Sequence, residues 1–369
     1  MLPYYLRKSL IPPICRLPVK SLTPSYLDAL RFDAEDAAAL NALGERRGRQ
    51  DLYRRQTPEI LEGLRTAAVV ESSESSNRIE GVVAPLVRIE ALVLRNSIPW
   101  NRSEQEIAGY RDALNLIHES HADMAFSVNV VLQLHSILYR YHPAEGGRWK
   151  GAANEIVERD AEGKVHRVRF TPPGPVETPE LARGLVEGYG EALEAGQEPA
   201  ILVPLAILDF LCIHPFRDGN GRMARLLSLM LLYRHGYDVG RYISLERIVE
   251  ESKETYYETL EASSLGWRDG RHNALPWMRY FWGTVLRAYD EFEERVGTLR
   301  QGRGSKAEMV ETAVGRRIGA FSISDIEADC PGVSRDWIRL VLRRLRAAGT
   351  ITPQGRGRGA KWVRRDQRG

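Results

Sequence analysis

A polar loop set between two oily segments constrains this sequence more than anything else in it. PAILVPLAILDFLCI, residues 199 to 213, is almost wholly apolar, and LLSLMLLYRHG, residues 226 to 236, is nearly so. Helices that are apolar all round belong inside a helical core, not on its surface. Between them runs HPFRDGNGRMAR, residues 214 to 225, with a histidine, a carboxylate, two glycines and arginines. Two buried helices therefore present one charged turn.

The residues of that turn suit an anion. Asp218-Gly219-Asn220-Gly221 has glycines where backbone can take positive φ and turn its N–H groups inward. The helix that follows adds free N–H groups and partial positive charge, completing an anion-binding cradle. Arg222 and Arg225, three apart, share a helical face and suit more than one phosphate. Asp218 would repel phosphate directly, and makes sense holding a Mg2+ that bridges phosphate oxygens. His214, with an ordinary pKa near ~6.5, is the natural proton acceptor at neutral pH. Together these groups describe transfer from a nucleotide to a hydroxyl. Taken singly, Asp-Gly-Asn-Gly is an ordinary turn.

The stretch as a whole resembles the signature of the Fic family, His-x-Phe-x-(Asp/Glu)-Gly-Asn-Gly-Arg-x-x-Arg, at every specified position, and the resemblance extends over about residues 57 to 290. It implies a mainly α fold, a Fic-type helical bundle with a β-hairpin flap. It also implies transfer of AMP from ATP to a Ser, Thr or Tyr hydroxyl of a target protein, with pyrophosphate released. On this resemblance His214 deprotonates the hydroxyl for in-line attack on the α-phosphorus, and Asp218 binds Mg2+. Asn220 and the loop amides around Gly219 and Gly221 hold the phosphates, Arg222 and Arg225 grip the β/γ end, and Phe216 anchors the loop in the core. Relatives with lysine at a loop glycine move the γ-phosphate instead, so glycine at both positions favours adenylyl transfer.

KETYYETLEASSLG, residues 253 to 266, is similar to the family segment that walls the adenine pocket, with Tyr256, Tyr257 and Leu260 at helical spacing. Ser264 stands where relatives often carry Asn, and a Tyr/Leu stripe reads equally well as core packing. The hairpin expected over residues 147 to 171 reads either as a flap that pairs with an extended target segment or as a structural hairpin.

SNRIEG, residues 76 to 81, fits the family's inhibitory pattern, (Ser/Thr)-x-x-x-Glu-(Gly/Asn). If the helix that begins at Thr57 and Pro58 stops at Gly81, Glu80 lies in its last turn, where a negative charge opposes the dipole. It needs a cation, and Arg225 is the obvious one. Ser76, one turn earlier, lies on the same face. The competing reading makes Asn77 and Glu80 a capping box that starts a new helix.

The expected organisation is an N-terminal helical region, 1–110, carrying the inhibitory helix after a Pro-rich extended arm; a catalytic core, 111–300; and a winged-helix module, 305–369, beyond a linker at QGRGSK. From Arg303 onward 15 Lys and Arg face 7 Asp and Glu, leaving 37 against 42 before it. A basic tail on a mildly acidic body suggests two kinds of partner. Arg335, Arg339, Arg356 and Arg358 are the candidate DNA contacts, although winged helices also dock proteins or dimerise. No signal peptide or membrane span is expected, and three scattered cysteines read as reduced thiols in a cytoplasmic protein. Relatives often form homodimers. Two other readings of the whole chain are a DNA-binding regulator whose body senses ATP, and a de-AMPylating enzyme in which Glu80 orients water.

Overall fold

The structure is a computed structural model that describes residues 20–369 apart from 57, 144–145, 160–164, 316, 318, 331–332, 355–360 and 365–369. The arm before residue 20, the Thr57 cap, the hairpin turn, Arg356 and Arg358 lie outside the described residues. The chain divides into two compact units between Phe292 and Glu293.

The first unit is helical. After a 3-10 turn at Lys20–Leu22 come α1 (Pro24–Ala29), α2 (Ala34–Gln56), α3 (Pro58–Ile79), α4 (Leu86–Arg95), α5 (Arg102–Ser120) and α6 (Val128–Leu138). The antiparallel strands β1 (Ile156–Arg159) and β2 (Val165–Phe170) follow. Then come α7 (Thr178–Glu194), α8 (Pro199–Ile213), α9 (Asn220–Arg234), α10 (Leu245–Glu251), α11 (Lys253–Ser264) and the first part of α12 (Leu275–Gly315), whose residues from Glu293 onward belong to the second unit. Residues 20–29 form a turn and a capped helix instead of an extended arm, because Thr23 accepts from the Tyr26 N–H just ahead of Pro24.

α8 and α9 are the centre of the core. Every residue from Leu202 to Ile213 is buried, and each leucine there adds about 2 kcal/mol by leaving water. Pro204 sits inside α8 without breaking it. Its ring removes the N–H that would have bonded the Ala200 carbonyl, and the indole of Trp282 bonds that carbonyl instead at 2.7 Å. α3 is a different kind of buried helix. Its serines and Asn77 are buried, and Ser72, Ser76 and Asn77 tie it to other elements. Ser72 donates to Glu246 on α10 at 2.8 Å, a carboxylate that also accepts from Tyr110 of α5 at 2.7 Å. α3 and α5 thus belong to one unit with the rest of the helices, and no boundary falls near residue 110.

Glu293–Gly369 forms the second unit. α12 runs unbroken to Gly315, so QGRGSK is helical and not a linker. Arginine, glutamine and lysine are good helix formers, and two glycines at about 1 kcal/mol each do not outweigh a long flanking helix. The end of α12 packs with α13 (Ile323–Asp329), α14 (Arg335–Ala347) and the hairpin of β3 (Ile351–Gln354) and β4 (Lys361–Arg364) around Val310, Phe321, Ile326, Ile338 and Leu342. Ser322 and Ser334 cap α13 and α14.

Candidate active site

The turn between α8 and α9 is built from its own atoms. α8 ends at Ile213, and His214 takes the left-handed conformation, φ 49° and ψ 59°. That conformation costs a non-glycine residue about 1 kcal/mol. It brings His214 Nδ1 to 3.3 Å from the Leu211 carbonyl. Nδ1 therefore carries the proton, and Nε2 is left as an acceptor. Burial pushes the imidazole down to about 4; the Leu211 carbonyl opposes this and the Lys150 charge adds to it. At neutral pH the ring is uncharged and able to take a proton.

Beyond it, the Phe216 N–H donates to Asn220 Oδ1 at 2.9 Å, and Asn220 Nδ2 donates to the Phe216 carbonyl at 2.9 Å. Gly219, at φ 79°, has the backbone that α9 needs at its start. Phe216 is fully buried and lies flat on His135, ring centroids 3.6 Å apart. His135 Nδ1 accepts from the Gly147 N–H at 2.9 Å, so its Nε2 donates to the Asp218 carbonyl at 3.1 Å. His135 is thus the buttress of the turn, a role its place on an apolar helix does not announce. His135→Ala is expected to lower the unfolding free energy by about 3 kcal/mol, from lost stacking and an unpaired Asp218 carbonyl. Urea unfolding followed by tryptophan fluorescence measures it, and an unchanged midpoint contradicts the role.

Three residues that the resemblance sets against the nucleotide have protein partners of their own. The Asn220 side chain is buried and bonded to the Phe216 backbone at both ends, so it shapes the turn. Arg222 is 2% exposed; it bonds Glu106 of α5 at 2.6 Å and the Tyr139 hydroxyl at 3.0 Å. It fastens α9 to its neighbours, because α9 is buried nearly all round and a shared face there points into protein. Tyr256 is 4% exposed and packs edge-on against Trp277 and Tyr280, so it is a core residue at the cavity wall.

Arg225 takes the other expected course. Its Nε donates to Ser76 Oγ at 2.8 Å, and its outer nitrogen donates to the Ser76 carbonyl at 2.9 Å and to Glu80 at 2.7 Å. Burial disfavours its charge, but Glu80, together with Tyr256 and Tyr110, outweighs this and holds its pKa above the ordinary range. α3 stops as a Schellman motif: Val82 N–H bonds the Asn77 carbonyl, Gly81 N–H bonds that of Arg78, and Gly81 has φ 80°. No new helix starts at Asn77. Gly221 leaves room for the pair, since a Cβ there would meet Glu80 Oε1 at 2.3 Å.

His214, Glu80, Gly221, Arg225, Tyr257 and Leu260 border one cavity of about 580 Å3. Its other wall is the hairpin, with Ile156, Val157 and Phe170. Arg167 and Arg169 of β2 pair with Glu261 of α11 at the rim, at 2.9 and 3.6 Å. Asp218 stands apart, its side chain 57% exposed. Arg335 pairs with Glu327 at 3.1 Å and Arg339 with Asp336 at 2.8 Å, so both basic candidates already have anionic partners.

Four histidines are held neutral by burial, His118 at about 3 and His135, His214 and His272 at about 4. Between pH 6.5 and 4 the unfolded chain binds protons at these sites that the folded chain refuses, so stability falls as pH falls. Asp209, raised to about 7 by burial, works the other way but is one group against four. The unfolding free energy should therefore drop by several kcal/mol in total from pH 7 to about pH 5, each histidine losing ~1.4 kcal/mol for every pH unit below its unfolded midpoint. Urea unfolding across that range measures it, and a flat profile overturns it.

A helical bundle that carries this turn and flap defines a Fic-type fold. Residues 125–232 match the sequence profile described as the Fic/DOC family. It is 26% identical over 268 residues to the protein adenylyltransferase Fic of Drosophila ananassae, covering 67% of this chain and 48% of that protein. It is 26% identical over 185 residues to protein adenylyltransferase fic-1 of Caenorhabditis elegans, covering 48% and 32%. The chain spans about half the length of these curated relatives or less. A Fic family protein from Desulfovibrio desulfuricans G20 superposes with a TM-score of 0.61 at 19% identity, over 92% of this chain and 98% of that one. C. elegans Fic-1 superposes at 0.55 and 21% identity, over 71% and 72%. These two likenesses establish the fold.

Proposed function

We propose that the protein is a self-inhibited adenylyltransferase, moving AMP from ATP to a side-chain hydroxyl of a target protein. One observation carries the reading: an uncharged His214 with Nε2 free shares a cavity with Arg225, and Glu80 occupies that arginine. ATP laid across the turn would put its outer phosphates at Arg225 and the α9 N-terminus, and its base toward Tyr257 and Leu260. His214 Nε2 then takes the proton from the target hydroxyl, whose oxygen attacks the α-phosphorus while pyrophosphate leaves.

Asp218 fits a magnesium site of the sort that nucleotides complete. Its carboxyl is held below the usual range, since Arg222 and the Tyr139 and Gly219 hydrogen bonds outweigh the burial that raises it. Among the described residues no group of three acidic, histidine or cysteine side chains could hold a metal alone. One carboxylate supplemented by phosphate oxygens is a normal Mg2+ environment. Bound there, the ion would neutralise charge on the phosphates as pyrophosphate leaves.

While Glu80 holds Arg225, that guanidinium is not available to the outer phosphates and ATP binds unproductively. The C-terminal unit we read as a winged helix that recruits a target or DNA; the internal ion pairs of Arg335 and Arg339 favour protein docking. No helix among the described residues is long and apolar enough to cross a membrane. Incubating Glu80→Gly with α-labelled ATP, alone and with His214→Ala added, tests the proposal. Label that ignores His214 defeats the mechanism, and its absence from every protein offered defeats the activity.

A further inference from the structure

The irregular segment between α6 and β1 has an unexplained lysine. Lys150 is 3% exposed, a rare place for an ammonium. Its Nζ donates to the Ile213 carbonyl at 3.1 Å and to Asn154 Oδ1 at 3.0 Å, both neutral oxygens. Its own N–H donates to the Pro215 carbonyl at 2.9 Å. Asn154 Nδ2 in turn donates to the Phe216 carbonyl at 3.2 Å. One five-residue stretch therefore holds the carbonyls at 213, 215 and 216, on both sides of His214.

Neutral partners do little to repay the desolvation of an ammonium. Accordingly, burial drags the Lys150 pKa down to about 8; Arg268 adds to the effect and Glu177 opposes it. A core that needed only packing would carry a leucine there. What the charge does supply is a cation on the carbonyl end of α8. That end of a helix normally stabilises a protonated histidine, and His214 is its cap. Glu80 and Asp218 also push His214 toward protonation, and Lys150 pushes against them.

We propose that Lys150 is the positioning residue of the turn, fixing the backbone on either side of His214 and setting the field in which its ring sits. This rests on the proposed function only in making His214 a base; the placement of the ring does not depend on it.

The test uses the full chain with 13C-labelled histidine, the His214 resonance being assigned by its loss in His214→Ala. In Lys150→Met the His214 titration midpoint should rise by about one pH unit or more, and in Lys150→Arg it should stay near the parent. In the Glu80→Gly background, Lys150→Met should lower kcat for AMP incorporation about 100-fold with KM for ATP changed only a few-fold, because a displaced base loses rate and not nucleotide contacts. Lys150→Arg should recover most of it. If Lys150→Met fails the circular-dichroism check for folding, Lys150→Gln, which keeps a donor for Ile213 without charge, takes its place with the same expected rise. A folded, uncharged variant with an unmoved midpoint overturns the proposal, as does failure of arginine to restore it. A shifted midpoint with no incorporation in any protein upholds the positioning role and rejects the transferase reading.

Discussion

Replacing Glu80 with glycine is expected to raise AMP incorporation about 100-fold over the parent. Arg225 is buried, and its outer nitrogen divides between Glu80 and the Ser76 carbonyl. A charge-assisted hydrogen bond in such a place is worth about 2–3 kcal/mol, and ATP must displace it before its outer phosphates find a cation. That energy corresponds to roughly 30- to 160-fold in productive binding. The fold should survive the change, because Glu80 lies at the exposed end of α3 and Gly81, Asn77 and Arg78 close the helix through backbone bonds. Incorporation of labelled AMP into the protein itself and into lysate proteins, with initial rates taken against ATP concentration, provides the measurement. Rates equal to the parent would remove the brake.

Adding His214→Ala to that active form is expected to lower incorporation about 1000-fold, the usual worth of a positioned general base. KM for ATP should hardly move, since the ring points Nδ1 at Leu211 and makes no use of the phosphate cradle. The loss should fall in kcat and be nearly independent of pH between 6 and 8, where an imidazole titrating at about 4 is already neutral. A double variant as fast as Glu80→Gly would show that the hydroxyl loses its proton elsewhere. An acid limb near pH 6.5 in the active form would show that burial does not control the ring as described.

Much of this site can be read in the sequence because its parts are local. The glycine turn, the histidine ahead of it and the Ser76–Glu80–Gly81 spacing each follow from one helix or one loop, and the charge of Glu80 calls for a cation that Arg225 supplies. Depth is what sequence spacing conceals. Arg222 and Arg225 share a face, yet α9 is buried nearly all round, so one guanidinium meets Glu106 while the other borders the cavity. Tyr256 at its helical spacing suits either reading for the same reason, being buried in the core and yet bordering the cavity. His135 and Lys150 act on the turn across 83 and 63 residues of chain, a separation no local pattern reports. Helix ends are equally hard to place from spacing. The chain breaks between Leu245–Glu251 and Lys253–Ser264 because Ser252 leaves helical geometry at φ −115°, ψ 31°, while QGRGSK continues a helix that its glycines alone would end.

Asn220 closes the turn on Phe216 with two hydrogen bonds, and that closure bears on how a nucleotide is received. A loop that had to be ordered by its ligand would subtract that ordering from the affinity, residue by residue. Here the shape is complete before any ligand arrives, so binding should show little loss of chain entropy and a modest heat-capacity change. Calorimetric titration of the Glu80→Gly form with a non-hydrolysable ATP analogue should resemble docking into a rigid mould.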